Sequence, residues 1–255
     1  MNPRIGDWRG QRVWVIGAST GIGAETAKLL LERGARVALS ARKLSTLQTV
    51  APEFPKALLL PLDVTRHAEV LAARDTLLAQ WQGFDLVLVV AGAYNEMRAD
   101  SFDMGAVNQL IDLNLRGVFH CLDAVLPSLL AQHSGGIGIV SSAAGYSGLP
   151  KALIYGPTKA ALINLCESLY VDLRPRGNAV YLINPGFVET PATAVNDFPM
   201  PGLITARRAA QEIVQGIEQG QFHIHFPKRF TNWLRLARLL PYRWYFALLH
   251  KVTGL

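Results

Sequence analysis

The sequence predicts an α/β fold: a doubly wound parallel sheet in a single domain, with a helical extension at the C-terminal end. Three observations carry this. Short apolar runs alternate with helix-length amphipathic segments along most of the chain. The run Leu86, Val87, Leu88, Val89, Val90 is apolar without interruption, as in a strand buried on both faces. The first run also passes through a glycine-rich turn directly into a helical pattern. Strands separated by helices pair in parallel through right-handed crossovers, and ligands of such sheets gather at the carboxyl ends of the strands.

Residues 12–16 open as a strand, and residues 22–33 follow as a helix. Residues 37–40 form the next strand, 44–50 a short helix, and 57–62 a third strand. A helix over 68–81 leads to the strand at 86–90, and a long helical zone over 103–132 leads to a strand at 138–141. A helix over 154–173 precedes the strand at 179–183, and one over 206–219 precedes the strand at 222–226. Repeats and low-complexity linkers are absent. The expected division is a catalytic domain over residues 1–227, with a substrate loop at about 191–205, and a basic amphipathic tail over 228–255.

Half of the 255 residues are apolar, enough for a large core. Cys121 and Cys166 both sit in apolar helical patterns without metal-ligand spacing, and read as buried, reduced and structural. No metal site is expected. The strand beginning at residue 12 leaves no room for a signal peptide ahead of it, so a cytoplasmic setting is expected. The formal charge of +6 lies in the last 35 residues, which contain six Lys or Arg and no Asp or Glu; the remaining 19 basic residues balance the 19 acidic ones. A neutral body argues against a broad nucleic-acid-binding face.

Tyr155 and Lys159 stand one helical turn apart, separated by Gly156, Pro157 and Thr158. A tyrosine ionises near pH ~10, and a cation one turn away favours its phenolate, moving it toward use as an acid or base. The pair alone also arises by chance. Proline is tolerated only in the first turn of a helix, so Pro157 places the helix start just before it and Tyr155 at the helix mouth. At the other end of the chain, Gly17, Ala18, Ser19, Thr20, Gly21, Ile22 and Gly23 follow the first strand. Glycines there allow a tight turn and close approach of a diphosphate to the N–H groups opening the helix; a plain glycine-rich turn is the alternative.

Together, Gly17–Gly23, Asn114, Ser142, and Tyr155 with Lys159 resemble the short-chain dehydrogenase/reductase family, over about residues 11–190. The resemblance implies a Rossmann-type fold, a nicotinamide cofactor and reversible carbonyl/alcohol interconversion. It implies that Ser142 holds the substrate oxygen, Tyr155 acts as general acid or base, and Lys159 lowers the tyrosine pKa and binds the nicotinamide ribose. Asn114 would hold, through its backbone, a water leading from Lys159 to solvent. On the cofactor side it implies roles for Gly17, Ser19, Thr20, Gly21, Ile22, Gly23, Asp63, Val64, Ala91, Gly92, Pro185, Gly186, Val188 and Thr190, and for Tyr155 and Lys159 as well. Asp63 would contact the adenine; alternatively Asp63 or Thr65 only caps the next helix, or both roles hold with a different residue in each. Val89 and Val90 replace the two asparagines that precede Ala91 and Gly92 in the family. Pro185 and Gly186 would precede a backbone contact near Phe187 and Val188 with the carboxamide, with Thr190 on the phosphates. Ala41 stands where NAD-preferring members carry an aspartate, and Arg42 follows it, favouring NADP(H) over NAD(H) through a ribose 2′-phosphate. Thr20 stands where many NADP-dependent members carry a basic residue.

The resemblance also favours a homodimer or homotetramer acting on a small-molecule carbonyl or alcohol. Phe198, Met200 and Leu203 suggest an apolar pocket wall. His223 and His225 alternate along a strand and read as its polar face. The tail forms two apolar helices, 230–240 and 242–252, broken by Pro241 and interrupted by arginines, so no ~20-residue span crosses a bilayer. Two readings of it stay open: peripheral contact with an anionic membrane surface, or packing against the body, a partner subunit or the substrate entrance. A catalytically silent cofactor-binding sensor or scaffold is the alternative function.

Overall fold

The computed structural model describes residues 1–194 and 198–253. Seven parallel strands form one sheet: β1 (Arg12–Ile16), β2 (Arg36–Ala41), β3 (Leu58–Pro61), β4 (Leu86–Val89), β5 (Gly136–Val140), β6 (Ala179–Pro185) and β9 (His223–Phe226). Their order is β3-β2-β1-β4-β5-β6-β9, a Rossmann-like arrangement. Two short strands, β7 (Val188–Glu189) and β8 (Ile204–Thr205), pair beside it. The chain reverses direction across the sheet between β1 and β4, and the crevice at that switch point is where ligands of open α/β sheets bind.

The uninterrupted apolar runs are explained by burial on both faces. Trp14 and Ile16 of β1 and Val87 and Val89 of β4 face one core, packed by α3 (His67–Trp81), α5 (Gly117–Gln132) and α6 (Tyr155–Leu173). Their alternates Val13, Val15, Leu86 and Leu88 face the other core, packed by α1 (Gly21–Glu32), α2 (Leu44–Val50) and α7 (Ala206–Glu218). Each such side chain contributes about 1.5–3 kcal/mol on burial. Gly138 of β5 has no room for a side chain: a Cβ there would lie 2.6 Å from the Leu88 side chain.

The expected helical zone 103–132 is α4 (Met104–Ile111) and α5 joined by a π-helical turn, Asp112–Arg116, with Asn114 at its centre. Such single turns re-aim a side chain without ending the helix. Past β9 the chain continues into α8 (Lys228–Ala237) and α9 (Tyr242–Thr253). Among the described residues no helix is long and apolar enough to cross a membrane.

His223 and His225 are not on a solvated face. His225 is buried, and the two rings lie against each other at a tilt of 31° with centroids 4.6 Å apart. His223 Nε2 accepts from the Tyr146 hydroxyl at 3.0 Å and from Asn184 Nδ2 at 3.1 Å. His225 Nε2 accepts from Arg235 at 3.3 Å, and its Nδ1 meets the Thr231 hydroxyl at 2.7 Å. The strand pairs with β6 along one edge and is packed by α7 and α8, so its faces are covered, and period-two alternation alone does not reveal that.

Candidate active site

A cleft of about 400 Å³ opens at the carboxyl ends of β1, β4, β5 and β6. Its lining includes Gly17, Ser19, Thr20, Gly21, Ile22 and Gly23, then Arg42, Asp63, Val64, Ala91 and Gly92. It also includes Ser142, Tyr155, Lys159, Pro185, Gly186, Val188 and Thr190. Residues scattered over most of the sequence thus converge on one cavity.

The glycine loop is built for backbone contact. Gly17 has φ +95°, and a Cβ on it would lie 2.4 Å from the Ala91 nitrogen. A Cβ on Gly23 would lie 2.1 Å from the Gly17 carbonyl oxygen. α1 therefore starts tightly against the end of β1. Thr20, its N-cap, makes no side-chain capping bond, which leaves the N–H groups of the first turn available to an anion. Thr190 packs over Gly21, where a Cβ would lie 2.8 Å from its methyl group. This cradle fits the diphosphate of a dinucleotide.

Ala91 donates its N–H to Ile16 at 3.0 Å. Beyond it, the Asn114 side chain clamps the backbone of Ala93 at both ends. Its Oδ1 accepts from the Ala93 N–H at 2.8 Å, and its Nδ2 donates to the Ala93 carbonyl at 2.9 Å. Asn114 is fully buried and does not line the cleft itself; it lies one layer behind. Asp63 Oδ1 accepts from the Thr65 N–H at 2.9 Å and its hydroxyl at 2.7 Å. Neither residue caps α3, whose N-cap is Arg66. Burial pushes the Asp63 carboxyl up, but the Thr65 bonds with the Arg42 and Arg66 charges hold it below its ordinary value.

α6 begins at Tyr155, with Pro157 in its first turn. Lys159 is buried, and its Nζ donates to the Val140 carbonyl at 3.0 Å and sits 5.8 Å from the centroid of the Tyr155 ring. Burial lowers its pKa to about 8. The Tyr155 hydroxyl is also buried, which raises its pKa, and a hydrogen bond with Ser142 opposes that rise. Of these two opposing influences on Tyr155, burial is the larger. Ser142 Oγ accepts from the Ala144 N–H at 3.1 Å, which fixes the turn that presents it.

The apolar end of the cleft departs from expectation. Phe198 lines it; Met200 and Leu203 do not. Residues 195–197 of the expected substrate loop lie outside the described residues. Tyr94, Leu149, Phe187, Phe230 and Leu234 form much of the wall, and Tyr94 meets Tyr155 edge to face at 5.2 Å. Phe230 and Leu234 come from α8, so the tail reaches the cleft. The three-residue spacing of Thr231, Leu234 and Ala237 marks a buried stripe in retrospect; nothing in the sequence aims it at this cavity.

A family model described as short chain dehydrogenase matches residues 11–198. An uncharacterized oxidoreductase of Myxococcus xanthus is 37% identical over 231 residues, covering 89% of this chain and 91% of that protein. One of Staphylococcus epidermidis is 32% identical over 206 residues, covering 80% and 90%. Among solved structures, a short chain dehydrogenase from Burkholderia cenocepacia in complex with NADP superposes with a TM-score of 0.84 at 24% identity, covering 95% of this chain and 98% of that one. The match over most of the chain and the oxidoreductase relatives make this protein a member of the short-chain dehydrogenase family of oxidoreductases.

Proposed function

We propose that this protein is an NADP(H)-dependent reductase or dehydrogenase that interconverts a carbonyl and a secondary alcohol on a moderately apolar small molecule. The observation that carries the reading is the meeting of Ser142, Tyr155 and Lys159 at the boundary between a glycine cradle and an uncharged, aromatic pocket end. When bound, the cofactor supplies or accepts the hydride. Gly17 to Gly23 would hold its diphosphate against the start of α1. Arg42, just past β2, would pair with a 2′-phosphate, and Asp63 would face the adenine. Pro185, Gly186 and Val188 would border the nicotinamide, and Thr190 the phosphates.

On the substrate side, Ser142 donates to the carbonyl oxygen and positions it beside the Tyr155 hydroxyl. Tyr155 gives that oxygen its proton in reduction and takes it back in oxidation. A charge developing on the phenolic oxygen is offset by the Lys159 ammonium, whose burial makes the interaction strong. Asn114 fixes the Ala93 backbone and the π-turn beside Lys159, and its own carbonyl would seat a water that returns protons. Leu149, Phe187, Phe198 and Phe230 offer no charge to a polar substrate, which supports an apolar one. The reading includes a cytoplasmic setting and a homodimeric or homotetrameric assembly, common in the family.

The test is NADPH oxidation across a panel of ketones and aldehydes, comparing wild type with Tyr155→Phe. Turnover lost by about 100-fold or more, the usual span of acid–base catalysis, is expected while NADPH still binds. Equal turnover removes Tyr155 from the chemistry, and NADPH binding without turnover on any carbonyl points to a silent sensor.

A further inference from the structure

We infer that α8 and α9 form a docking surface for an anionic lipid bilayer and that the apolar end of the cleft opens toward that surface. Three observations meet there. The buried stripe of α8, Thr231, Leu234 and Ala237, faces the protein, while Trp233 and Leu236, three residues apart on another side, stand exposed. Leu239, Tyr242, Trp244 and Phe246 extend the exposed apolar surface, with Leu239 and Tyr242 each 79% accessible. Of the described residues of α9, Tyr245 alone is buried. Its hydroxyl donates to the Gly148 carbonyl at 2.6 Å, which fastens α9 beside the Leu149 segment of the cleft wall.

The charges select the occupant. No Asp or Glu follows Glu218, whereas Arg229, Arg235, Arg238, Arg243 and Lys251 are all exposed along these two helices. A second copy of this surface would bring two all-basic faces together, which costs energy. An anionic bilayer surface attracts each such residue, and exposed Trp and Tyr suit its headgroup layer. The helices lie on the membrane rather than cross it, since α9 has only 12 residues.

Because Phe230 and Leu234 of α8 line the cleft, docking would bring the substrate end within about one helix diameter, ~10–12 Å, of lipid. Resting on the reductase reading above, this makes the substrate a carbonyl compound dissolved in the membrane.

The experiment is flotation of the full-length protein with vesicles of phosphatidylcholine alone and of phosphatidylcholine with one quarter phosphatidylglycerol, at low and high salt. Binding to the anionic vesicles stronger by about tenfold or more, and weakened by salt, is expected. The triple variant Trp233→Ser, Leu236→Ser, Trp244→Ser and the double variant Arg238→Glu, Arg243→Glu should each lose binding while keeping the wild-type Tm. Absence of wild-type binding, or equal binding by folded variants, overturns the surface. Sedimentation velocity gives a further outcome: self-association lost in the triple variant, with no wild-type vesicle binding, assigns the face to a second copy and overturns the membrane reading. None of these readouts uses turnover, so failure of the reductase reading leaves them standing. If turnover of a ketone with a long alkyl chain is found, vesicle stimulation in wild type but not in the variants is expected; equal stimulation overturns substrate entry from lipid.

Discussion

Lys159 donates a 3.0 Å hydrogen bond to the Val140 carbonyl and forms no salt bridge among the described residues. A buried ammonium held by a single neutral carbonyl costs stability. Its pKa, lowered to about 8 by burial, expresses that cost. In the unfolded chain the amine titrates near ~10.4. Between those values the unfolded state binds more protons, so this group's contribution to stability improves as pH rises from about 8 toward ~10.4. At pH 7 it is fully unfavourable.

Lys159→Met should therefore separate stability from activity. Turnover is expected to fall by about 100-fold or more, while Tm at pH 7 rises by several degrees, each kcal/mol being worth about 2–4 °C in a chain of this size. Differential scanning calorimetry and NADPH oxidation check both. A lower Tm would mean that the Val140 bond outweighs the burial.

Gly23→Ala should damage the cradle itself. The added Cβ meets the Gly17 carbonyl oxygen at 2.1 Å, so backbone rather than a flexible side chain must move. A loss of about 1–3 kcal/mol is expected, as for other overpacked sites. The rise in Tm that NADPH gives the wild type should shrink, since ligand binding stabilises only the state that binds. Thermal melts with and without NADPH check this; an undiminished rise would place the diphosphate elsewhere.

Arg42→Ala should discriminate the two cofactors. Loss of a charge-assisted contact of about 1.5–3 kcal/mol would weaken NADPH binding by roughly 10–100-fold and leave NADH binding nearly unchanged. Titration calorimetry with both cofactors measures the difference. Equal losses would remove the 2′-phosphate assignment.

The paired histidines predict loss of stability in acid. Burial, with the nearby Lys228 and Arg235 charges, lowers His223 to about 4 and His225 to about 3. Unfolded, each titrates near ~6.5. Stability from the neutral rings is therefore complete above ~6.5 and is lost as pH falls toward about 4 and 3. Protonation would also remove the acceptors used by Tyr146, Asn184 and Arg235. The double variant His223→Gln, His225→Gln should lose less Tm between pH 7.5 and pH 5 than wild type, by roughly 4 °C or more. Parallel loss in both proteins would shift the acid sensitivity to the carboxylates.

Much of the architecture was legible beforehand because the signals are local. Residues 86–90 read as a doubly buried strand because every side chain there is apolar, and the strand occupies Leu86–Val89 at the centre of the sheet. Pro157 located the helix start at Tyr155, since proline fits only where its missing N–H has no partner. The π-turn at Asn114 left no such mark: Leu113, Leu115 and Arg116 continue a helical pattern, and the bond between Asn114 and Ala93 that accompanies the turn joins segments far apart in the chain. The burial of His225 and the half-burial of His223 were hidden as well, because alternation says which residues share a face and not what covers that face.

By itself, the sequence determined the sheet, the glycine turn and the Tyr155–Lys159 pair, all set by steric and periodic preferences over a few neighbouring residues. Only the tertiary structure decided that Tyr94, Phe230 and Leu234 line the cleft while Met200 and Leu203 do not. It also decided that Tyr155 is buried beside Ser142, so that burial raises its pKa while the Ser142 bond opposes the rise. Those outcomes depend on which distant segments exclude water from a given side chain, and that is fixed by packing between elements far apart in the chain.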